Sequence, residues 1–136
     1  MKRRRLQRKG AETAEAALTL PLVVLVIFAG FEYGWLVLRS MQLDHVARIG
    51  ARYAVLAGSS GQGVQDRVQA ALTQVGIAGA TITVTPADPA DAAPGDAVVV
   101  QVEVPYASVR LLGLSSLMPL PASLEGRASM VREPDA

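Results

Sequence analysis

Three regimes of hydrophobic and polar positions follow one another along this chain. Residues 1 to 9 carry no apolar pattern and form a solvated basic leader. From Ala16 to Leu38 the chain is apolar, with Glu32 as its one charge. A helix of about 23 residues, rising roughly 1.5 Å per residue, spans ~35 Å, enough to cross a bilayer core of about 30 Å with some tilt. Beyond it apolar residues recur at helical spacing, and past Gly79 they recur at period two.

The apolar run reads as a retained membrane helix. A cleavable secretory signal has an apolar region of about 7 to 15 residues followed by a small-x-small site. Ile27-Phe28-Ala29 offers no such site, and the run continues through Tyr33, Trp35, Leu36, Val37 and Leu38. Tyr33 and Trp35 fall where an interfacial aromatic belt is expected. Pro21 removes the backbone bond to the carbonyl of Ala17 and is expected to kink or loosen the helix. Gly30 and Gly34 share one helix face and would allow close approach of another helix.

The helix is expected to continue past the membrane to Ala57 as a stem. Leu43, Val46, Ala47, Gly50, Tyr53, Ala54 and Ala57 form its apolar stripe, with Arg39, Gln42, Asp44, Arg48 and Arg52 between them. The run Gly58-Ser-Ser-Gly-Gln-Gly63 breaks it. A short helix follows from about Val64 to Gln74, with Val64, Val68, Leu72 and Val75 on one side and Gly76 as its C-cap. Thr81 to Thr85 alternates as a strand with Ile82 and Val84 inward, and residues 86 to 96 form a loop by composition. Ala97 to Val104 is the strongest strand, Ser108 to Met118 an apolar excursion of helical character, and Ser123 to Arg132 a last strand with Leu124, Gly126, Ala128 and Met130 on one face. The expected fold class is α+β: a long transmembrane and stem helix, then a small exported domain with a short helix and about three antiparallel strands.

Charge sets the orientation. The first ten residues hold six basic side chains and no acidic one, whereas from Arg39 onward seven basic residues face nine acidic ones. A basic tip abutting an apolar span is the positive-inside signature, with the N-terminus cytoplasmic and the C-terminal domain exported. The same placement argues against a nucleic-acid footprint. The absence of cysteine excludes thiol catalysis, disulfides, a lipoprotein-type anchor and cysteine zinc sites.

No catalytic constellation can be assembled. His45, the only histidine, neighbours Asp44 on the stem, and adjacent helical residues point apart. Asp88, Asp91 and Asp96 lie in one loop without calcium-loop spacing, and Gly58 to Gly63 lacks the lysine of a phosphate-cradling loop. No metal or cofactor is expected. The residue that stands out is Glu15, a charge at the entrance of the apolar helix. Such a residue is either a functional site with a partner or a side chain that snorkels and complements the helix N-terminus.

The pattern Gly10-Ala-Glu-Thr-Ala-Glu15-x-Ala-Leu-x-Leu-Pro21, then Phe31-Glu32-Tyr33-Gly34, then Ala47-Arg48-x-Gly-Ala-Arg52-Tyr53, resembles the TadE-like minor pilins (pseudopilins) of tight-adherence (Tad) type IV-type pili. The resemblance covers about residues 10 to 53. It implies a leader of residues 1–10 cut by a prepilin peptidase between Gly10 and Ala11, a transmembrane and stem helix over 11–57 with its span at about 16–38, and an exported domain over 58–136. It also implies that Glu15, fifth after the cut, meets the new N-terminal amine of a neighbouring subunit. Pro21, Gly30 and Gly34 would belong to the packing helix, and Glu32, Tyr33, Arg48, Arg52 and Tyr53 to the family motif. Ala16 departs from the pattern, since the family commonly has an aromatic there. The implied function is non-enzymatic: pilus assembly for surface adhesion. Its implied partners are the peptidase, other Tad pilins, the assembly platform and the bacterial inner membrane, with the C-terminal domain periplasmic and incorporation into a cell-surface pilus in view. The rival reading is an uncleaved single-pass membrane-anchored periplasmic binding module.

Overall fold

Helix α1 runs from Lys2 to Ala54 and passes through Pro21 without ending. The computed structural model describes residues 2–132, with side chains from Glu12 onward. Along α1 two surfaces succeed each other. From Glu12 to Phe31 the side chains are exposed, apart from a half-buried Ala29. Leu18, Leu22, Val26 and Phe31 all lie open. From Glu32 onward one stripe is covered: Glu32, Leu36, Leu43, Val46, Ala47, Gly50, Ala51 and Ala54 are buried or half-buried at three-four spacing. The segment Glu12–Ala54 is the one helix among the described residues long and apolar enough to cross a membrane.

The helix stops at Ala54, short of the expected Ala57. The chain turns at once, with the Leu56 amide donating to the Tyr53 carbonyl and the Ser59 hydroxyl to the Ala54 carbonyl at 2.6 Å. These bonds satisfy carbonyls that a helix end leaves without partners. Helix α2 (Gly61–Gln74) begins a turn earlier than its apolar residues indicate. Ser60 is its N-cap, accepting from the Gly63 amide at 3.2 Å. The glycine run therefore divides between a break and a helical first turn. At the other end Gly76 lies just past the cap residue Val75, at φ +66. The Gly76 amide donates to the Thr73 carbonyl and the Ile77 amide to the Leu72 carbonyl, closing a Schellman motif over buried Leu72 and Ile77.

The sheet is antiparallel in the order β1 (Thr81–Thr85), β2 (Ala97–Pro105), β3 (Ser123–Val131). Val84 pairs with Val100, and Val100 with Ala128. Along β2 the inward residues Val98, Val100, Val102 and Val104 are fully buried, as the period-two pattern predicts. Stem residues Leu43, Val46, Ala47 and Ala51 fill the other side of this core with Val64, Val68 and Leu72 of α2. Two glycines let backbones and side chains meet. A Cβ on Gly126 would strike the Leu43 backbone, and one on Gly50 would strike Val68. The α+β class and three antiparallel strands match the expectation. The excursion after β2 does not: α3 covers only Tyr106–Val109, and residues 110–122 run as turns and irregular chain. Arg110, at φ −58 and ψ 151, ends α3, and Gly113 at φ +75 keeps the following chain out of a helix.

Candidate functional site

The first covered residue of the stem is a charge. Glu32 is the only charged side chain that is fully buried among the described residues. Burying a carboxylate is unfavourable unless its oxygens are hydrogen-bonded, and both are. The Tyr106 hydroxyl donates to Oε1 at 2.6 Å, and the Leu112 amide donates to Oε2 at 2.7 Å. The Leu111 and Gly113 amides add to the same stabilising field. Successive amides around one anion form a concave backbone site, and the positive φ of Gly113 shapes the turn that presents them. Burial and the adjacent Glu32 carboxylate push the Tyr106 hydroxyl well above its ordinary pKa.

Three neighbours extend this contact along the stem. The Tyr33 hydroxyl donates to the Pro119 carbonyl at 3.0 Å, and Trp35 Nε1 to the Val109 carbonyl at 2.6 Å. The Arg39 guanidinium lies 4.5 Å from the Trp35 ring centroid, a cation–π distance. Its Nη1 donates to Gln42 and, at 2.8 Å, to the Val75 carbonyl at the end of α2. The segment 106–120 is thus pinned to one helical stretch, Glu32 to Trp35. Both aromatics that an interfacial belt would use have protein partners for their polar atoms, and Glu32, Trp35 and Leu36, inside the expected span, are covered by protein.

The other sequence-derived sites behave differently. Glu15 is exposed, and among the described residues no donor meets its carboxylate; only its backbone carbonyl is engaged, by the Thr19 hydroxyl at 2.9 Å. Gly30 and Gly34 have open space where a side chain would begin, so among the described residues nothing packs on them. Pro21 lies on the exposed apolar stretch between them and Glu15. Arg48 is exposed, and Arg52 lines a shallow pocket of about 230 Å³ with Ile49, Tyr53, Leu56 and Arg67. Tyr53 is half-buried beside Gly63, where an added Cβ would come 2.9 Å from its hydroxyl. Of the expected cleavage pair Gly10 and Ala11 only the backbone, within α1, lies among what is described. His45 is exposed. Asp88 and Asp96 serve their own loop, accepting from the Ala90 and Ala93 amides at 3.1 Å each.

Sequence reasoning missed Tyr106, Leu112 and Val109 as partners. The one available signal was an unexplained charge inside an apolar run, which demands donors from elsewhere in the chain.

Fold and site together define a class: a small α+β domain carried on the second half of a helix whose first half is apolar, exposed and long enough for single-pass membrane anchoring. Residues 10–52 match the family model described as TadE-like protein, the family these residues resemble. No curated protein and no solved structure matches the chain. The matched stretch takes in Glu15, Pro21, Gly30, Gly34, Glu32, Tyr33, Arg48 and Arg52, and Tyr53 lies just past its end. A TadE-like stretch points to involvement in the Tad pilus and to a family that is not normally enzymatic.

Proposed function

We propose that this chain is a minor pilin or pseudopilin that takes part in assembling a Tad-type pilus for surface adhesion. The observation that carries the reading is the undivided helix α1. Its first half is open apolar surface with Glu15 near the start, and its second half is the spine of the exported domain. The stretch 12–31 has about 20 residues, which at roughly 1.5 Å each reach ~30 Å, the thickness of a bilayer core. In this reading the span lies at about 12–31, overlapping the expected 16–38, and the stripe covered by the domain begins at Glu32. The basic leader keeps the N-terminus cytoplasmic and the domain periplasmic in the inner membrane.

A carboxylate at the bilayer centre costs on the order of 2.5–3.5 kcal/mol on insertion scales, and less near the interface. Cleavage between Gly10 and Ala11 by a prepilin peptidase would create an amine that a neighbouring subunit's Glu15 can meet, which lowers that cost for both charges. The open Gly30 and Gly34 support a helix face kept for other Tad pilins or the assembly platform.

Intact-mass measurement of the membrane-extracted protein from cells with an active peptidase tests the reading. A chain beginning at Ala11 is expected, and Gly10→Val should leave it uncut. Residues 1 to 9 still attached in the unmutated protein would sink the cleavage step and favour an uncleaved anchored module.

A further inference from the structure

From Leu111 to Leu124 the chain carries no charged residue. Its leucines are not all buried: Leu111 is 46%, Leu112 47% and Leu117 65% exposed. Exposed leucines close together on one uncharged loop are a candidate contact surface. Two bonds set where that surface sits. The Leu112 amide holds Glu32 at 2.7 Å, and the Tyr33 hydroxyl holds the Pro119 carbonyl at 3.0 Å. Both helix partners directly follow Phe31, the last residue before the domain begins to cover one stripe of the helix. One helical turn advances about 5.4 Å, so the loop is fastened within a turn of the level where the domain first covers the helix. The Leu117 and Met118 amides donate to the Leu114 carbonyl at 2.9 and 3.1 Å. The turn thus satisfies part of its own backbone, as a segment touching lipid must.

We propose that residues 110–118 seat on the lipid bilayer, with Leu111, Leu112 and Leu117 entering the headgroup–acyl boundary of the leaflet beneath the exported domain. The proposal rests on the reading of residues 12–31 as the membrane span. Lipid is the favoured occupant because the patch continues the open apolar surface of the helix sideways at the same level. In the inserted protein the bilayer already lies beside it. Arg110, exposed at the edge of the patch, can keep its guanidinium among the phosphates while the leucines point inward. The seat and the Glu32 contact act together: the carboxylate fastens the loop to the helix, and the loop sets the height and tilt of the domain on the membrane.

The chain has no cysteine, so single sites can be labelled in the full-length protein. Leu112→Cys and Leu117→Cys would carry an environment-sensitive fluorophore in vesicles of phosphatidylcholine and phosphatidylglycerol with spin labels at the headgroup or deep in the chain. Val26→Cys reports the span, and Gln65→Cys, exposed on α2, reports the water-facing domain. Blue-shifted emission at 112 and 117, with shallow-label quenching several-fold stronger than at 65, is the expected result. If 26 is quenched by the deep label while 112 and 117 behave like 65, the seat is overturned and the span stands. If 26 is unquenched, the span fails and the seat falls with it. Blue shift at 112 and 117 without lipid quenching, growing with protein-to-lipid ratio, would overturn the seat in favour of a second copy of the chain.

Discussion

The hydroxyl of Tyr106 donates to Oε1 of Glu32 at 2.6 Å, joining side chains 74 positions apart across the base of the α+β domain. Glu32 belongs to the helix and Tyr106 to the start of α3, so one short bond unites the anchor with the folded unit. The second carboxylate oxygen, held by the Leu112 amide, makes the contact a clamp on the whole 106–113 segment.

Removing either partner should loosen the clamp. Tyr106→Phe keeps the ring but takes away one donor to a charged group, a loss of about 1.5–3 kcal/mol. Glu32→Ala should cost more, because it leaves the Tyr106 hydroxyl and the Leu112 amide unpaired and opens a cavity. The double variant should be less unstable than the sum of the two, by about 0.5–3 kcal/mol. Denaturation of the detergent-solubilised protein can follow Trp35, the single tryptophan, whose indole is bonded to Val109 beside the clamp.

Alkaline pH should act through the same pair. The folded chain raises the pKa of Tyr106, first by burial and then by its bond to Glu32. The folded state thus holds that proton more tightly than the unfolded chain, whose tyrosine titrates near 10. The stabilisation is fully present below about pH 10 and declines as pH rises above it. Stability measured from pH 8 upward should fall beyond about 10, and Tyr106→Phe should show a shallower fall. Equal slopes would remove Tyr106 from the account.

Gly126 is the point where β3 presses closest on the stem. A Cβ there would strike the carbonyl carbon and oxygen of Leu43 and the amide of Asp44, backbone atoms that cannot rotate away. Gly126→Ala should therefore cost at least the about 1–3 kcal/mol typical of overpacking. A lowered thermal midpoint with strand content lost together with stem packing is the expected reading by circular dichroism. An unchanged midpoint would mean that the helix and sheet can separate there without penalty.

The open face of α1 gives the opposite expectation. Gly30→Leu and Gly34→Leu meet empty space within the chain, so stability in detergent should change by no more than about 0.5 kcal/mol. If that face packs against other pilins, the same variants should abolish piliation, scored by electron microscopy and by surface adhesion. Glu15→Leu should likewise be cleaved normally yet fail to assemble. Normal pili from the Glu15 variant would leave a snorkelling carboxylate as the better account.

Most elements were legible because their signals are local. Val98, Val100, Val102 and Val104 alternate with more exposed residues, and that alternation predicts a strand with one buried face. Val64, Val68 and Leu72 repeat at helical spacing and face the core together. Where boundaries slipped, capping was the cause. Ser60 starts α2 ahead of its apolar stripe, and the Ala54 carbonyl is closed by Ser59, so the apolar Ala57 falls outside the stem. The stretch after β2 was misread because leucines suit a helix as well as an exposed loop. Composition does not reveal that Gly113 takes a positive φ there.

The sequence by itself determined the long apolar helix, its basic flank, the position of Glu15 and the α+β order of the remainder, because periodicity, charge placement and turn chemistry act over a few neighbouring residues. Only the tertiary structure decided where the domain first covers the helix. Hydropathy treats Glu32, Tyr33 and Trp35 as part of one apolar run, since their partners Tyr106, Leu112, Pro119 and Val109 come from a segment more than 70 positions away. A buried carboxylate is tolerated only where donors converge on it, and that convergence exists only once the chain has folded back onto its own helix.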